Sequence, residues 1–166
     1  MSVKAIPDGY HSVTPYLIID GAAEAIRWYG EAFGAEEVLR MPMPVPSGAG
    51  GVEGGERIAH AEIKIGDSHV MLSDEWPDMG YLGPLKRGGA TASLMIYLEG
   101  VDAAFARALE AGATQERPPE DQFWRDRMGT LIDPFGHRWS LATHIEDVSE
   151  EEMQRRMADA FQAQPA

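Results

Sequence analysis

The sequence predicts an α+β fold assembled from two βαβββ modules, and three observations predict it. Alternating and helical hydrophobic patterns succeed one another in the order strand, helix, three strands, and that order then recurs. The recurrence is also visible in residues. Gly21-Ala22-Ala23-Glu24-Ala25-Ile26, ending in Phe33-Gly34-Ala35, is echoed by Gly100-Val101-Asp102-Ala103-Ala104-Phe105, ending in Ala111-Gly112-Ala113. An internal duplication outweighs any single local signal in deciding a fold. The third observation is the stretch Asp121 to His144, where Asp133-Pro134-Phe135-Gly136 separates two short alternating runs. Proline presets φ for a turn and glycine accepts φ > 0, so this stretch reads as a β-hairpin.

Each element has its own justification. Val13 to Ile19 alternates Thr14, Tyr16 and Ile18 against Pro15, Leu17 and Ile19, and is read as a strand with a free side at Pro15. Ala22 to Phe33 carries Ala22, Ile26, Tyr29 and Phe33 at helical spacing, and Gly34 follows as its terminator. Glu36 to Arg40 is a short strand. Residues 41–56, rich in proline and glycine, are a loop: a tolerated insertion or a lid over a pocket. Arg57 to Ile65 and Ser68 to Ser73 form a hairpin around Gly66-Asp67. A two-residue turn there sets the register, with Met71 opposite Glu62 and His69 opposite Lys64. Ala61, Ile63, Ile65, Val70 and Leu72 then face the core, and His60, Glu62, Lys64, His69, Met71 and Ser73 share the other face. Residues 74–90 read as a Pro- and Gly-rich linker.

In the second module, Thr91 to Leu98 is a strand with Leu94, Ile96 and Leu98 inward and Ser93, Met95 and Tyr97 on the opposite face. Val101 to Ala111 is a helix capped by Gly112. Thr114 to Arg117 is a strand that Pro118-Pro119 is expected to break. The closing hairpin points Trp139 and Leu141 into the core and Arg138, Ser140 and Ala142 the other way. Ser149 and Glu152 are spaced as a capping box for a terminal helix over 149–163. Its stripe of Met153, Met157 and Phe161 is expected to pack on this chain or on a second copy. The modules span about residues 11–75 and 91–146 within one domain, residues 1–146.

Composition narrows the function classes. A chain of 166 residues, 44% hydrophobic, buries roughly 70% of its unfolded surface and needs no staples. The absence of cysteine removes disulfides, thiolate nucleophiles and thiolate metal sites. No apolar run approaches the roughly 20 residues of a membrane helix, and no signal core opens the chain, so a cytoplasmic protein is expected. A net charge of −13 opposes nucleic acid and anionic membrane surfaces.

Several motifs together carry a family likeness. They are Asp20 with Ile26-Arg27-Trp28-Tyr29 and Phe33-Gly34-Ala35, Gly100-Val101-Asp102-Ala103-Ala104, and Asp133-Pro134-Phe135-Gly136-His137. Lys64-Ile65-Gly66-Asp67 with Met71-Leu72-Ser73-Asp74-Glu75 belongs with them, as does the run from Trp139 to Val148. Over about residues 11–145 the chain resembles the vicinal-oxygen-chelate superfamily, which includes glyoxalase I, bleomycin-resistance proteins and extradiol dioxygenases, and within it the PhnB-like subgroup. The resemblance implies a curled mixed sheet forming a cup, helices on its convex side, chemistry on the concave face, and a homodimer. Metal-using members place His or Glu at four strand positions, which align here with Thr14 (or Val13), Met71, Ser93 and Ser140. Hydroxyls and a thioether do not replace imidazole or carboxylate around a divalent ion. No cofactor is therefore expected, and the favoured function is metal-independent binding or sequestration of a small ligand. The alternative is a metal-dependent lyase or dioxygenase with a relocated divalent site at His60, Glu62 and His69. A third reading is a scaffold whose cup is filled by its own side chains.

For the binding cup, Thr14, Ser93 and Ser140 leave volume, and Tyr16, Met71, Met95 and Tyr97 supply apolar walls. Arg138, Glu62 and His60 supply directional polar groups. Trp124, with Arg127, closes one side or packs in the core. His11 is expected to be exposed, His137 to support its hairpin, and His144 to share a face with Ser140 and Ala142.

Overall fold

The computed structural model describes residues 3–43 and 57–162. Most of the loop expected as an insertion or lid, residues 44–56, lies outside the described residues. The chain divides into two compact units. One holds the residues up to Thr91 with Phe135–His137, and the other holds Ala92–Pro134 and the residues from Arg138 onward.

The first unit contains β1 (Tyr16–Ile19), α1 (Ala22–Phe33), β2 (Glu36–Pro42), β3 (Ile58–Ile65) and β4 (Ser68–Asp74). Its sheet runs β1-β4-β3-β2. β1 and β4 are parallel, and the other pairs are antiparallel. The expected hairpin register is observed, with Glu62 opposite Met71 and Lys64 opposite His69. Ala61, Ile63, Ile65, Val70 and Leu72 are buried. Onto that face α1 lays Ala22, Ala25, Ile26, Tyr29 and Ala32. The alanines let the helix approach the sheet closely. Trp28, Tyr29, Phe33 and Phe135 fill the flank, with Trp28 edge-on to the other three rings.

The start of α1 depends on a residue far away in sequence. Gly21 turns into it at φ 90° and has no side chain to cap with. Asp74, buried at the end of β4, accepts instead from the N–H groups of Gly21 (3.0 Å) and Ala22 (3.1 Å), and its second oxygen takes Ile58 N–H at 2.6 Å. A carboxylate at a helix N-terminus satisfies orphan donors and faces the positive end of the dipole.

Two expectations in this unit need correction. The first strand begins at Tyr16, so Thr14 precedes the ladder and its hydroxyl turns back to the His11 carbonyl at 3.1 Å. The local chain there is held by Pro15, whose carbonyl takes Met71 N–H but whose nitrogen offers nothing in return. The stretch 74–90 is also no plain linker. It folds into a 3₁₀ turn at Pro77–Met79 and the short helix α2 (Pro84–Arg87). Pro77 and Pro84 open these turns, and Gly80 and Gly88 close them at positive φ. Buried Glu75 organises the rest by accepting from Gly83 N–H at 2.8 Å and pairing with Lys86.

The second unit contains β5 (Ser93–Tyr97), α3 (Val101–Glu110), β6 (Thr114–Asp121), β7 (Asp126–Ile132), β8 (Arg138–His144) and α4 (Glu150–Gln162). Its sheet runs β5-β8-β7-β6, with β5 parallel to β8. The module order is thus that of the first unit. The helix-start device is replayed as well, with Thr143 in the role of Asp74. Its hydroxyl accepts from Val101 N–H at 3.1 Å and donates to the Leu98 carbonyl at 2.7 Å. The helix ends in a Schellman pattern, Gly112 N–H to Leu109 and Ala113 N–H to Ala108.

β6 does not break at Pro118-Pro119 but continues to Asp121. It is an edge strand, and its register shifts between Arg117 and Glu120, so neither proline needs to donate to a neighbour. Trp139 and Leu141 are fully buried as expected, and Trp139 Nε1–H is satisfied by buried Asp133 at 2.8 Å. Ser140 and Ala142, expected on an open face, are also buried. In α4, Ser149 caps Glu152 N–H at 3.3 Å, but the Glu152 carboxylate bonds Arg155 and Arg156 rather than closing the box. Met157 and Phe161 are exposed, at 42% and 68%. Among the described residues no helix is long and apolar enough to cross a membrane.

Candidate ligand-binding site

The residues expected to share one concave face fall into four local environments. The first is a recess of about 480 Å³ in the first unit, lined by Tyr16, Ile18, Ala59, Ser73, Trp76, Met79 and Tyr81. Trp76 and Tyr81 exchange both backbone hydrogen bonds, 2.8 and 3.1 Å, across the 3₁₀ turn, which sets the two residues opposite one another in the lining of the recess. The Arg57 guanidinium lies 5.3 Å from the Trp76 ring centroid and donates to the Glu75 carbonyl at 2.7 Å, holding that indole in place. Tyr16 supplies the polar group. Its hydroxyl meets His60 Nδ1 at 3.0 Å, His60 Nε2 meets Glu62 at 3.1 Å, and the Tyr10 hydroxyl donates to the other Glu62 oxygen. The Tyr10 hydrogen bond, with help from His60, holds the Glu62 carboxyl below the usual carboxylate range despite its burial. The same bond pushes the Tyr10 phenol up.

Thr14, Glu62 and Met71 occupy a second recess of about 410 Å³, bounded by Ile6, Pro7 and Tyr10 of the N-terminal segment. That segment, unassigned in the sequence reading, lies against the expected ligand face. Tyr10 stacks on His69 with centroids 4.2 Å apart, and His69 Nδ1 meets the Gly9 carbonyl at 2.9 Å. One ring nitrogen of His69 is thus engaged by the N-terminal segment. Among the described residues no three His, Asp or Glu side chains converge as a metal would need. The four aligned positions fit no better. The register sets Tyr16, not Thr14, beside Met71, and Met95, not Ser93, beside Ser140. A phenol, two thioethers and a hydroxyl are a poor set for a divalent ion.

In the second unit, Ser93, Arg138 and Ser140 line a polar recess of about 530 Å³ with Glu116, Arg117, Met128 and Thr130. Arg138 is engaged there by Glu116. Tyr97 and Trp124 belong to a different group. Both donate to buried Asp126, at 2.8 and 3.2 Å, and His144 Nδ1 meets its other oxygen at 2.7 Å. Burial pushes the Asp126 carboxyl up, but the hydrogen bonds from His144 and Tyr97, the His144 charge and the Trp124 bond outweigh it and hold the group low. His144 is held above the usual imidazole range by Asp126 and then Asp147. The cluster ties the strand ends of β7 and β8 together. Arg127, expected near Trp124, is instead paired with Asp102 and Asp121. His137, expected to support its own hairpin, has its Nε2 3.3 Å from the Ile18 carbonyl of β1.

Trp76, Met79 and Tyr81 escaped the sequence reading because they sit among prolines and glycines. The available signal was Trp76-Pro77 followed by Gly80-Tyr81, a turn flanked by two aromatics.

Two four-stranded mixed sheets, each βαβββ in order and each bearing a side-chain-lined recess, define a paired-module α+β protein with small-molecule-sized sites. The chain belongs to the Glyoxalase/Bleomycin resistance protein/Dioxygenase superfamily, which it matches over residues 10–141. It is 39% identical over 150 residues to the uncharacterised protein Rv0887c of Mycobacterium tuberculosis, covering 89% of this chain and 82% of that one. The fold is similar to the solved structure of the PhnB protein from Bacillus cereus, with TM-score 0.59, 20% identity, and coverage of 80% of this chain and 99% of the other. It is also similar to the fosfomycin resistance protein FosX from Listeria monocytogenes, solved with Mn(II) and sulfate, with TM-score 0.59, 13% identity, and coverage of 89% and 97%.

Proposed function

We propose that this protein binds a small, planar, largely apolar molecule in the recess of its first unit, without a metal, and sequesters rather than converts it. The observation that carries the reading is the pre-ordered aromatic pair. Trp76 and Tyr81 are set opposite each other by their reciprocal backbone bonds, and the Tyr16 hydroxyl, oriented by His60, offers one directional contact in the same lining. A mostly apolar concavity with few convergent polar groups is the usual form of a small-molecule site. Ring faces held in advance reduce the ordering cost of binding. Sequestration is favoured because the lining is mostly apolar, with the Tyr16 hydroxyl, held by His60, as its directional polar contact. The lyase or dioxygenase alternative would need His60, Glu62 and His69 on one ion, and His69 Nδ1 is engaged by the Gly9 carbonyl.

The test is titration with the neutral fluorescent probe N-phenyl-1-naphthylamine, before and after EDTA treatment. Saturable binding unchanged by EDTA is expected, with Trp76→Ala weakening it at least about tenfold through the lost ring contact. Wild-type affinity in Trp76→Ala, or loss of binding after EDTA, would overturn the reading. Self-association as a homodimer belongs to the same proposal. It rests on the family likeness and on the exposed Met157 and Phe161 of α4, and a monomer in sedimentation at micromolar concentration would refute it.

A further inference from the structure

We propose that the second unit carries a separate subsite for the oxyanion of a small ligand, a carboxylate or phosphoryl group, seated on Arg117 with Thr130 and Ser140. The sheet register sets Arg117 beside Thr130 and Thr130 beside Ser140, one row across β6, β7 and β8 that opens on the polar recess of about 530 Å³. The irregularity in β6 between Gln115 and Arg117 brings both Glu116 and Arg117 to this recess, where a regular strand would send neighbours to opposite faces. Their roles then separate. Glu116 is taken by Arg138, while Arg117 has no hydrogen-bond or ion-pair partner among the described residues. Two guanidiniums and one carboxylate leave a positive surplus here, in a chain whose net charge is −13.

The hydroxyls give an independent reason to expect a ligand. Thr130 and Ser140 are buried, 8% and 9% exposed, yet among the described residues their one side-chain hydrogen bond is with each other at 3.4 Å. That is long for an O–H···O bond. Each hydroxyl has one proton and two lone pairs, and a buried hydroxyl without a good partner is costly. An oxyanion entering the recess accepts from the Arg117 fork and accepts a hydrogen bond from one hydroxyl, which satisfies the Thr130–Ser140 pair at the same time. The site is independent of the aromatic recess, and failure of either proposal leaves the other standing.

The test follows the Arg117 Nε–H and the Thr130 and Ser140 amides of the full chain by NMR. Inorganic phosphate and acetate are titrated separately at constant ionic strength, so that screening does not mimic binding. Saturable shifts confined to these residues at millimolar concentration are expected. Phosphate alone would assign a phosphoryl ligand, acetate alone a carboxylate, and both a general oxyanion site. Arg117→Gln should weaken binding at least about tenfold, while Arg27→Gln, the same charge change in the other unit, should not. Should Arg117→Gln fold poorly, Thr130→Val with Ser140→Ala serves as the second variant and should also weaken binding. The proposal is overturned if neither anion gives saturable shifts, if Arg27→Gln has the same effect as Arg117→Gln, or if the hydroxyl variant binds as wild type.

Discussion

Asp74 and Thr143 perform the same task in the two modules with different chemistry, and this makes a quantitative prediction. Asp74 accepts three backbone N–H groups, from Gly21, Ala22 and Ile58. In Asp74→Asn the amide oxygen still serves Gly21 and Ala22, but its NH₂ now meets Ile58 N–H, donor against donor. The loss is one charge-assisted bond and one orphaned buried donor, about 2–3 kcal/mol, plus about 0.3–1 kcal/mol of helix-dipole interaction. Asp74→Ala orphans all three donors and should cost about 4–5 kcal/mol, less than the sum of three separate bonds because one carboxylate makes them all. Thr143→Val is nearly isosteric and removes two neutral bonds, to Val101 and Leu98, so about 1–2 kcal/mol is expected. Urea unfolding followed by circular dichroism, with linear extrapolation, ranks the three variants. The reasoning fails if Asp74→Asn lies within about 0.5 kcal/mol of wild type, or if Thr143→Val costs as much as Asp74→Ala.

Other consequences can be checked in parallel. His144 is held high by Asp126 and Asp147, so its contribution is fully present below about pH 6.5 and is lost as pH rises through its folded value. Asp126 is held low, so its contribution is present above about pH 3.9 and is lost as pH falls through its folded value. Melting temperatures should therefore decline on the alkaline side, and His144→Gln should flatten that decline; an unchanged profile would count against the ion pair. Gly129→Ala places a Cβ 2.7 Å from the Phe105 ring and 2.9 Å from Pro119 N, an overpacking expected to cost about 1–3 kcal/mol in urea unfolding. His60→Ala releases the Tyr16 hydroxyl and should weaken probe binding less than Trp76→Ala does, while His60→Gln should restore part of the loss. Elemental analysis of protein purified without an affinity tag should find no stoichiometric zinc, iron, manganese or nickel. A near-stoichiometric metal would return His60 and Glu62 to the centre of the problem.

What the sequence determined by itself was everything governed by short-range periodicity. The Gly66-Asp67 turn and strict alternation made the pairing of Glu62 with Met71 readable, since a slip by one residue would expose Ile63 and Leu72. Gly34, Gly112 and Ser149 marked helix ends because their conformational roles are local, and the duplication announced the module order. The tertiary structure alone decided how partners distant in sequence meet. Asp74 caps a helix 52 residues upstream, Tyr10 reaches Glu62 across the same separation, and Tyr97 and Trp124 converge on Asp126 instead of on the recess of Ser93 and Ser140. Ten expected site residues were placed on one face by alternation, but alternation gives only a face, not the position along it nor what covers it. Trp76 and Tyr81 formed the aromatic end of a recess through two backbone bonds inside a proline- and glycine-rich stretch. No hydrophobic period exists there to read, because the order comes from turn geometry and from the buried Glu75 beside it.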